Sequence, residues 1–92
     1  MFRFEGLDIW KLALEYCNNC YDIAKTFPSY EMFALSDQLR RAAISVSNNI
    51  VEGSGSDSDK LFCRYLNIAI NSIYESVNIL IFAEKRGYIR EE

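Results

Sequence analysis

The side chains whose types and spacing could support chemistry form one polar row near the middle of the chain. The row contains Gln38, Arg41, Ser45, Asn49 and Glu52. At about 100° per residue, intervals of three and four residues put all five on one side of an α-helix. Arg41 and Glu52, with Glu75 further along, are the residues from which an acid–base site would have to be built.

Composition argues against that catalytic use of the polar row. The chain has no histidine, its carboxylates are scattered singly over polar faces, and no serine or cysteine has an identifiable base. We therefore predict no catalytic residues and no enzyme. The row borders an apolar stripe, where an unpaired polar group costs about 1 to 3 kcal/mol. We interpret it as a structural row that ties helices together through buried hydrogen bonds and ion pairs, with a partner or nucleic-acid surface as the alternative.

The three cysteines raise the question of a metal or redox site. Cys17 and Cys20 match C-x-x-C, and Cys63 stands alone. A structural zinc site needs four ligands, which one further thiol and no histidine cannot complete. A redox pair has its first cysteine at a helix N-terminus, whereas this pair falls inside a helical repeat. We expect core or interface thiols, no disulfide framework, no metal and no cofactor.

Apolar repeats predict the elements that position these residues. Spacing at i, i+3, i+4 and i+7 indicates helices at about 8–27, 30–52 and 58–86. The turns between them are too short to join parallel neighbours. The fold class is therefore an all-α, antiparallel up-and-down helical bundle. Ninety-two residues make it a single domain, 1–92.

Helix boundaries follow from particular residues. Pro28 ends the first helix, and Ser29 and Ser58 are typical caps for the second and third. The second helix has a candidate break near Ser36. Gly53 opens the Gly- and Ser-rich turn as a left-handed terminator, and Gly87 ends the third helix. This turn lacks the spacing of a phosphate or calcium loop. Residues 1–6 are expected to be an extended lead-in that packs on the bundle.

The width of the apolar faces predicts self-assembly. The first and third helices show apolar arcs of about 200°, whereas a helix in a three-helix bundle buries roughly 100° to 140°. We therefore expect a homo-oligomer, in which Ile44→Glu or Val51→Glu breaks the assembly and leaves the helices formed. The candidate interface comprises Ile9, Leu12, Tyr16, Ile44, Val51, Ile70 and Ile81.

Charge and hydropathy restrict the other partners. A net charge of −3 opposes general binding to polyanions, and the basic cluster to consider is Arg40, Arg41 and Arg64, the candidate nucleic-acid contacts. RNA, DNA or another protein stay open as partners. Apolar runs such as 79–83 are far shorter than the 18 or so residues of a membrane span, and the first residues do not show the basic start and apolar core of a signal sequence. We expect a soluble, cytoplasmic protein that does not bind membranes.

One long string of mixed chemistry resembles a known family. Residues 40–53 fit R-R-A-x-x-S-x-x-x-N-I-x-E-G, and matches extend from Trp10 through Phe27-Pro28 to Gly87-Tyr88. The chain resembles the bacterial four helix bundle proteins, also described as the 23S rRNA intervening-sequence protein family. The resemblance implies an antiparallel bundle that assembles into a ring, typically a homopentamer, with no established catalytic activity.

The resemblance also implies two alternatives for function. One is a scaffold or binding protein of the intervening-sequence type. The other is a nucleic-acid-binding accessory subunit, as in relatives that resemble those of diversity-generating retroelements. Ser47 stands where a proline is common in the family, and Ser56 stands where a basic residue is common. The serine at position 56 weakens the nucleic-acid interpretation. The family's fourth helix is expected to be absent, because this sequence ends where it would begin.

Overall fold

The computed structural model describes residues 2–89, and three α-helices account for most of that span. In chain order they are α1 (Asp8–Ala24), α2 (Leu35–Ser54) and α3 (Asp59–Lys85), with short 3-10 turns at Arg3–Gly6 and Ser29–Glu31. No strand occurs among these residues. α2 lies in the middle and packs along both other helices. The all-helical antiparallel fold is therefore confirmed.

Small side chains let α1 approach α2 closely. The buried residues of α1 are Ala13, Cys17, Cys20 and Ala24. Opposite them, α2 buries small residues such as Ala43 and Ser47, and the distance between helix axes shrinks as the contacting side chains shrink. Two cysteines are therefore core residues, as expected, whereas Cys63 is exposed on α3.

The connection between α1 and α2, residues 25–34, differs from the prediction. α1 ends at Ala24, and α2 starts at Leu35, five residues later than expected. Between them the N–H groups of Glu31 and Met32 donate to carbonyls three residues back, at 2.9 and 3.1 Å, which closes a 3-10 turn. Ala34, with φ −123° and ψ −103°, is the break that was expected near Ser36.

Caps were predicted correctly for α3 only. The Leu61 N–H donates to the Ser58 hydroxyl at 3.1 Å, which confirms Ser58 as the N-cap. Ser29 is not the N-cap of α2, because Ser29 lies in the 3-10 turn and Ala34 occupies the N-cap position.

Gly53 was predicted as a left-handed terminator, and this is wrong. It is buried inside α2, which continues to Ser54. A Cβ at Gly53 would stand 2.8 Å from both Phe62 Cδ1 and Tyr65 Cβ. Glycine is required because α3 passes too close for any side chain. Gly87, with φ +80°, does have the predicted left-handed conformation.

The N-terminal lead-in packs on the bundle but is not extended. The Phe2 N–H donates to the Glu5 carboxylate at 2.9 Å and the Glu5 N–H to the Phe2 carbonyl at 3.1 Å, which curls the segment into a 3-10 turn. The Phe4 ring meets Trp10 edge-on at 5.1 Å. Arg3 Nη1 donates to the Ser54 carbonyl at 3.4 Å, so the lead-in lies near the end of α2.

The residues after α3 pack at the end of the bundle that lies opposite the lead-in. The Tyr88 hydroxyl donates to Glu31 Oε2 at 2.9 Å and lies 2.8 Å from the Tyr30 hydroxyl. The Tyr88 ring packs 5.6 Å from Phe27. The C-terminal end of α3 is therefore attached to the connection between α1 and α2.

α3 is more apolar than its own packing requires. By length and composition alone it could cross a membrane, yet only 22% of its apolar 18-residue window is buried in this fold. A single such helix is weak evidence for a span, and the outer side of α3 carries a polar stripe that includes Arg64, Asn71 and Glu75. The packing leaves much of the apolar surface of α3 uncovered.

Candidate functional site

The polar row of α2 is half-buried at Ser45 and Asn49 only. The Ser72 hydroxyl donates to Ser45 Oγ at 2.9 Å, which links α3 to α2. Asn49 Nδ2 donates to the Ser45 carbonyl at 2.8 Å, within its own helix. The three longer side chains, Gln38, Arg41 and Glu52, are exposed. Within residues 2–89, Ser45 is therefore the residue of the polar row that forms a hydrogen bond to another helix, through Ser72 of α3.

The residues considered for acid–base chemistry do not converge. Arg41 Nε donates to Asp37 Oδ2 at 2.9 Å, and its side chain is 81% exposed. Glu52 lies eleven residues further along α2, about 16 Å at 1.5 Å per residue, and it is exposed, as is Glu75. No group of three His, Cys, Asp or Glu side chains within residues 2–89 could hold a metal ion.

The C-x-x-C pair has the environment of inert thiols. Burial raises the pKa of both Cys17 and Cys20, whereas reactive cysteines have lowered values. Burial also raises the pKa of Tyr16, whose hydroxyl is hydrogen-bonded to Ser76 Oγ and so joins α1 to α3.

The structure does not bring the three candidate nucleic-acid contacts together. Arg40 Nη2 lies 3.7 Å from Asp37 Oδ1, so Arg40 and Arg41 share one carboxylate. The Ser45–Ser72 hydrogen bond fixes the register of the antiparallel pair and places Arg64 opposite residue 53. That position is twelve residues, or about 18 Å, along α2 from Arg41.

An open apolar groove of about 360 Å³ separates α1 from α3. α2 forms its floor with Val46 and Ile50. The other lining residues come from α1 and α3: Ile9, Leu12, Ala13, Tyr16, Leu66, Ala69 and Ile73. The groove thus brings together three residues of the predicted interface, all from α1. Its lining is apolar apart from Tyr16, whose hydroxyl is hydrogen-bonded to Ser76, and a lining of this kind suits an apolar partner.

The remaining members of the predicted interface are distributed over other surfaces. Ile70 and Ile81 are exposed on α3, and Ile70 lies one turn from Leu66 at the groove. Ile44 and Val51 lie outside the groove, about 140° or more from Val46 and about 100° or more from Ile50 around α2. Ile44 is exposed and Val51 is half-buried.

Both walls of the groove have the spacing of a helix-packing seam. Residues alternate at intervals of three and four along α1 (Ile9, Leu12, Tyr16) and along α3 (Leu66, Ile70, Ile73, Val77, Leu80). A repeat averaging 3.5 residues keeps a stripe facing a neighbouring helix. Leu66 and Ile73 were not predicted as site residues, although this repeat in the sequence could have identified them.

Three carboxylates lie next to the apolar seam of α1 in the sequence. Asp8, Glu15 and Asp22 are exposed, stand seven residues apart, and each precedes a residue of the apolar seam or its continuation at Ile23. Asp22 lies 3.8 Å from Lys25, whereas Asp8 and Glu15 form no ion pair within residues 2–89. The α3 edge carries the uncharged Asn67 and Tyr74. Carboxylates therefore follow the seam of α1, and the exposed Lys11 lies one turn from both Asp8 and Glu15.

Comparison with known proteins identifies the family. No curated protein matches the chain. The family model described as 23S rRNA-intervening sequence protein matches residues 5–92, a range that includes all three helices, the groove and the 40–53 string. The resemblance seen in the sequence is confirmed: the chain belongs to the 23S rRNA-intervening sequence protein family.

Proposed function

We propose that this protein is a non-enzymatic, self-assembling helical scaffold, and that the groove between α1 and α3 is its main assembly surface. The observation that carries the proposal is an apolar groove of about 360 Å³ left open by three helices. Soluble monomers rarely leave contiguous apolar surface of this kind uncovered. Neighbouring copies supply the cover.

Exposed side chains beside the groove support the proposal. Leu12 is 61% exposed, and Ile70, one turn from Leu66, is 48% exposed. Each Å² of apolar surface removed from water contributes about 25 cal/mol, so burying these side chains favours association. When two different surfaces of the same protein meet head to tail, the copies close into a ring if the rotation between neighbours permits it. The resemblance to the family makes five copies the expected number.

The nucleic-acid alternative has less support. Arg40 and Arg41 share Asp37, and Arg64 lies well away from them along the bundle. Binding to a polyanion needs several cations that displace counterions together, and the chain carries a net charge of −3.

Light scattering after size-exclusion chromatography tests the assembly. At tens of micromolar we expect a mass several times the 10.7 kDa of one chain. Leu12→Glu and Ile70→Glu should each reduce it to one chain, because a buried charge on the contact is costly. Asn18→Glu, on the exposed outer side of α1, is the matched control and should assemble normally. A wild-type protein that is monomeric, helical and cooperative on melting would disprove the proposal.

A further inference from the structure

We infer that residues 30–34 are a two-state element held in its present form by a latch, and that opening the latch adds these residues to the N-terminal end of α2. The latch comprises residues 87–89, which follow α3. With the latch closed, α2 starts at Leu35. With the latch open, α2 starts at Tyr30 and is about 7.5 Å longer, at 1.5 Å per residue.

The C-terminal end of α3 turns the latch back onto the bundle. The Tyr88 N–H donates to the Ala83 carbonyl at 2.9 Å. The Gly87 N–H donates to the Glu84 carbonyl at 2.9 Å. Together with φ +80° at Gly87, these bonds form a Schellman motif, which commonly brings the next side chain against the last turn of its helix. Tyr88 and Ile89 accordingly pack on the hydrophobic core that includes Ala83.

The Tyr88 side chain holds the connection between α1 and α2 in its present form. Its hydroxyl donates to Glu31 Oε2 at 2.9 Å and lies 2.8 Å from the Tyr30 hydroxyl. Its ring centre lies 5.6 Å from that of Phe27 and 6.4 Å from that of Tyr30. The Arg86 guanidinium lies over the same ring at 5.8 Å. One side chain of the latch therefore binds both the start of the two-state element and the residue that precedes Pro28.

In the closed form, residues 30–34 make short-range hydrogen bonds instead of α-helical ones. The N–H groups of Glu31, Met32 and Ala34 donate to carbonyls three residues back, at 2.9 to 3.1 Å. The Met32 carbonyl accepts from Arg40 Nη2 at 3.0 Å. In an α-helix the same carbonyl would accept the N–H four residues further on. The backbone of this element is therefore satisfied without joining α2.

The open form has a similar number of hydrogen bonds, so the two forms are closely balanced. An α-helix that starts at Tyr30, with Ser29 as its N-cap, makes about five further backbone bonds, from the N–H groups of residues 33–37. It gives up the three short-range bonds and those that Tyr88 and Arg40 make to the connection. Loss of the Tyr88 contacts alone therefore moves the balance to the longer helix.

The sequence pattern fits the open form as well. Met32 lies four residues before Ser36 and seven before Leu39, so a continuous helix puts it on the same side as these buried residues. In the closed form Met32 is 50% exposed. It lies at a depression of about 320 Å³ that Ala24 and Phe27 also line. Opening the latch therefore buries an apolar side chain, which favours the longer helix.

The chain between α1 and Tyr30 is long enough for this rearrangement. Ser36 Oγ donates to the Ala24 carbonyl at 3.5 Å, so these two residues stand at the same level of the bundle. In the longer helix Tyr30 lies about 9 Å beyond that level, and neighbouring helix axes are about 8 to 10 Å apart. The distance to cover is then about 13 Å, whereas the six Cα–Cα steps from Ala24 reach about 20 Å.

The latch makes the length of α2 depend on what the C-terminal end of α3 contacts. Any interaction that takes Tyr88 away from Glu31 shifts the element toward the longer helix, to the extent that it prefers that form. Phe33, which is 91% exposed in the closed form, then lies on the same side of α2 as Arg40 and Ile44. Opening the latch thus repositions a large exposed aromatic side chain.

Removal of the tyrosine tests the latch. In Tyr88→Ala we expect helical Cα chemical shifts at residues 30–34. The amide hydrogens of Ser36 and Asp37 should exchange about tenfold more slowly, because they gain carbonyl partners. Tyr88→Phe keeps the ring and removes the hydroxyl, so it should change both measurements in the same direction by less. Tyr74→Ala, the same change at an exposed tyrosine of α3, is the control and should match wild type.

Three results would overturn the inference. The first is a folded Tyr88→Ala chain in which residues 30–34 keep their wild-type shifts. The second is random-coil shifts at these residues, which would make Tyr88 an anchor of the connection and not a latch. The third is a wild-type chain that already has helical shifts from Tyr30. If circular dichroism shows that Tyr88→Ala is unfolded, Tyr88→Phe decides by the same shifts, because its ring packing is retained.

Discussion

At Gly53 the backbone of α2 comes so close to α3 that one methyl group should force the helices apart. Gly53→Ala would place a Cβ 2.8 Å from Phe62 Cδ1 and Tyr65 Cβ. Overpacking of this kind costs about 1 to 3 kcal/mol, which urea unfolding can measure. Gly6→Ala is the control, since no atom lies within 4 Å of its added Cβ. Equal unfolding midpoints for the two variants would show that α3 moves aside without cost.

The buried thiols of α1 make stability depend on alkaline pH. Burial raises the pKa of Cys17 and Cys20 above the ordinary thiol value of about 8.5. Between the thiol pKa of the unfolded chain and the higher pKa of the folded chain, the folded chain keeps protons that the unfolded chain releases. The free energy of unfolding therefore falls as pH rises. The contribution is complete below about pH 8.

Urea unfolding at pH 7.5 and pH 10 measures this effect. We expect a lower midpoint at pH 10, and a smaller difference in the variant that carries both Cys17→Ala and Cys20→Ala. Cys63→Ala should retain the wild-type difference, because Cys63 is exposed. If the double variant shows the full wild-type difference, the thiols are not its cause.

Among the elements, α3 depends on its N-cap. Ser58→Ala removes the hydroxyl that accepts the Leu61 N–H and should cost about 1 kcal/mol of stability. Ser29→Ala is the matched control: the same change at the connection between α1 and α2 removes no cap hydrogen bond and should be close to neutral. Thermal unfolding of the two variants compares them directly, and an equal loss at both would contradict the capping role.

Periodicity predicted the long elements well and the close contacts poorly. α1 and α3 were placed to within three residues, because their apolar repeats are long and unambiguous. Residues 30–34 have helical propensity, yet hydrogen bonds to carbonyls three residues back prevail there. The turn role predicted for Gly53 was wrong, because the close approach of α3 depends on tertiary packing, which the residues around Gly53 do not specify.

The candidate site was only partly predictable, for a similar reason. The wide apolar arcs identified Ile9, Leu12 and Tyr16, which line the groove. Leu66 and Ile73 of the opposite wall were not among the predicted site residues. Which side of α3 lies uncovered depends on how the helices are arranged, and the sequence pattern leaves that arrangement open.

For the molecule as a whole, charge predicts weak binding to nucleic acids. With a net charge of −3, we expect no electrophoretic shift of structured RNA or duplex DNA at micromolar protein and low salt. A shift that falls steeply with ionic strength would contradict this expectation. Arg40→Ala, Arg41→Ala and Arg64→Ala should then each lower the salt slope by about one.

An odd number of helices also affects whether the chain could be circularly permuted. The lead-in lies near Ser54 and the segment after Gly87 lies against Phe27, so the described ends are at opposite ends of a bundle 44 Å long. Many domains have neighbouring termini and tolerate circular permutation. Here a permuted chain would need a linker of at least about 12 extended residues along the bundle. If that linker crossed the groove, it would cover the apolar surface through which we propose that copies associate, whereas a linker along the outer side of α3 would leave the groove free.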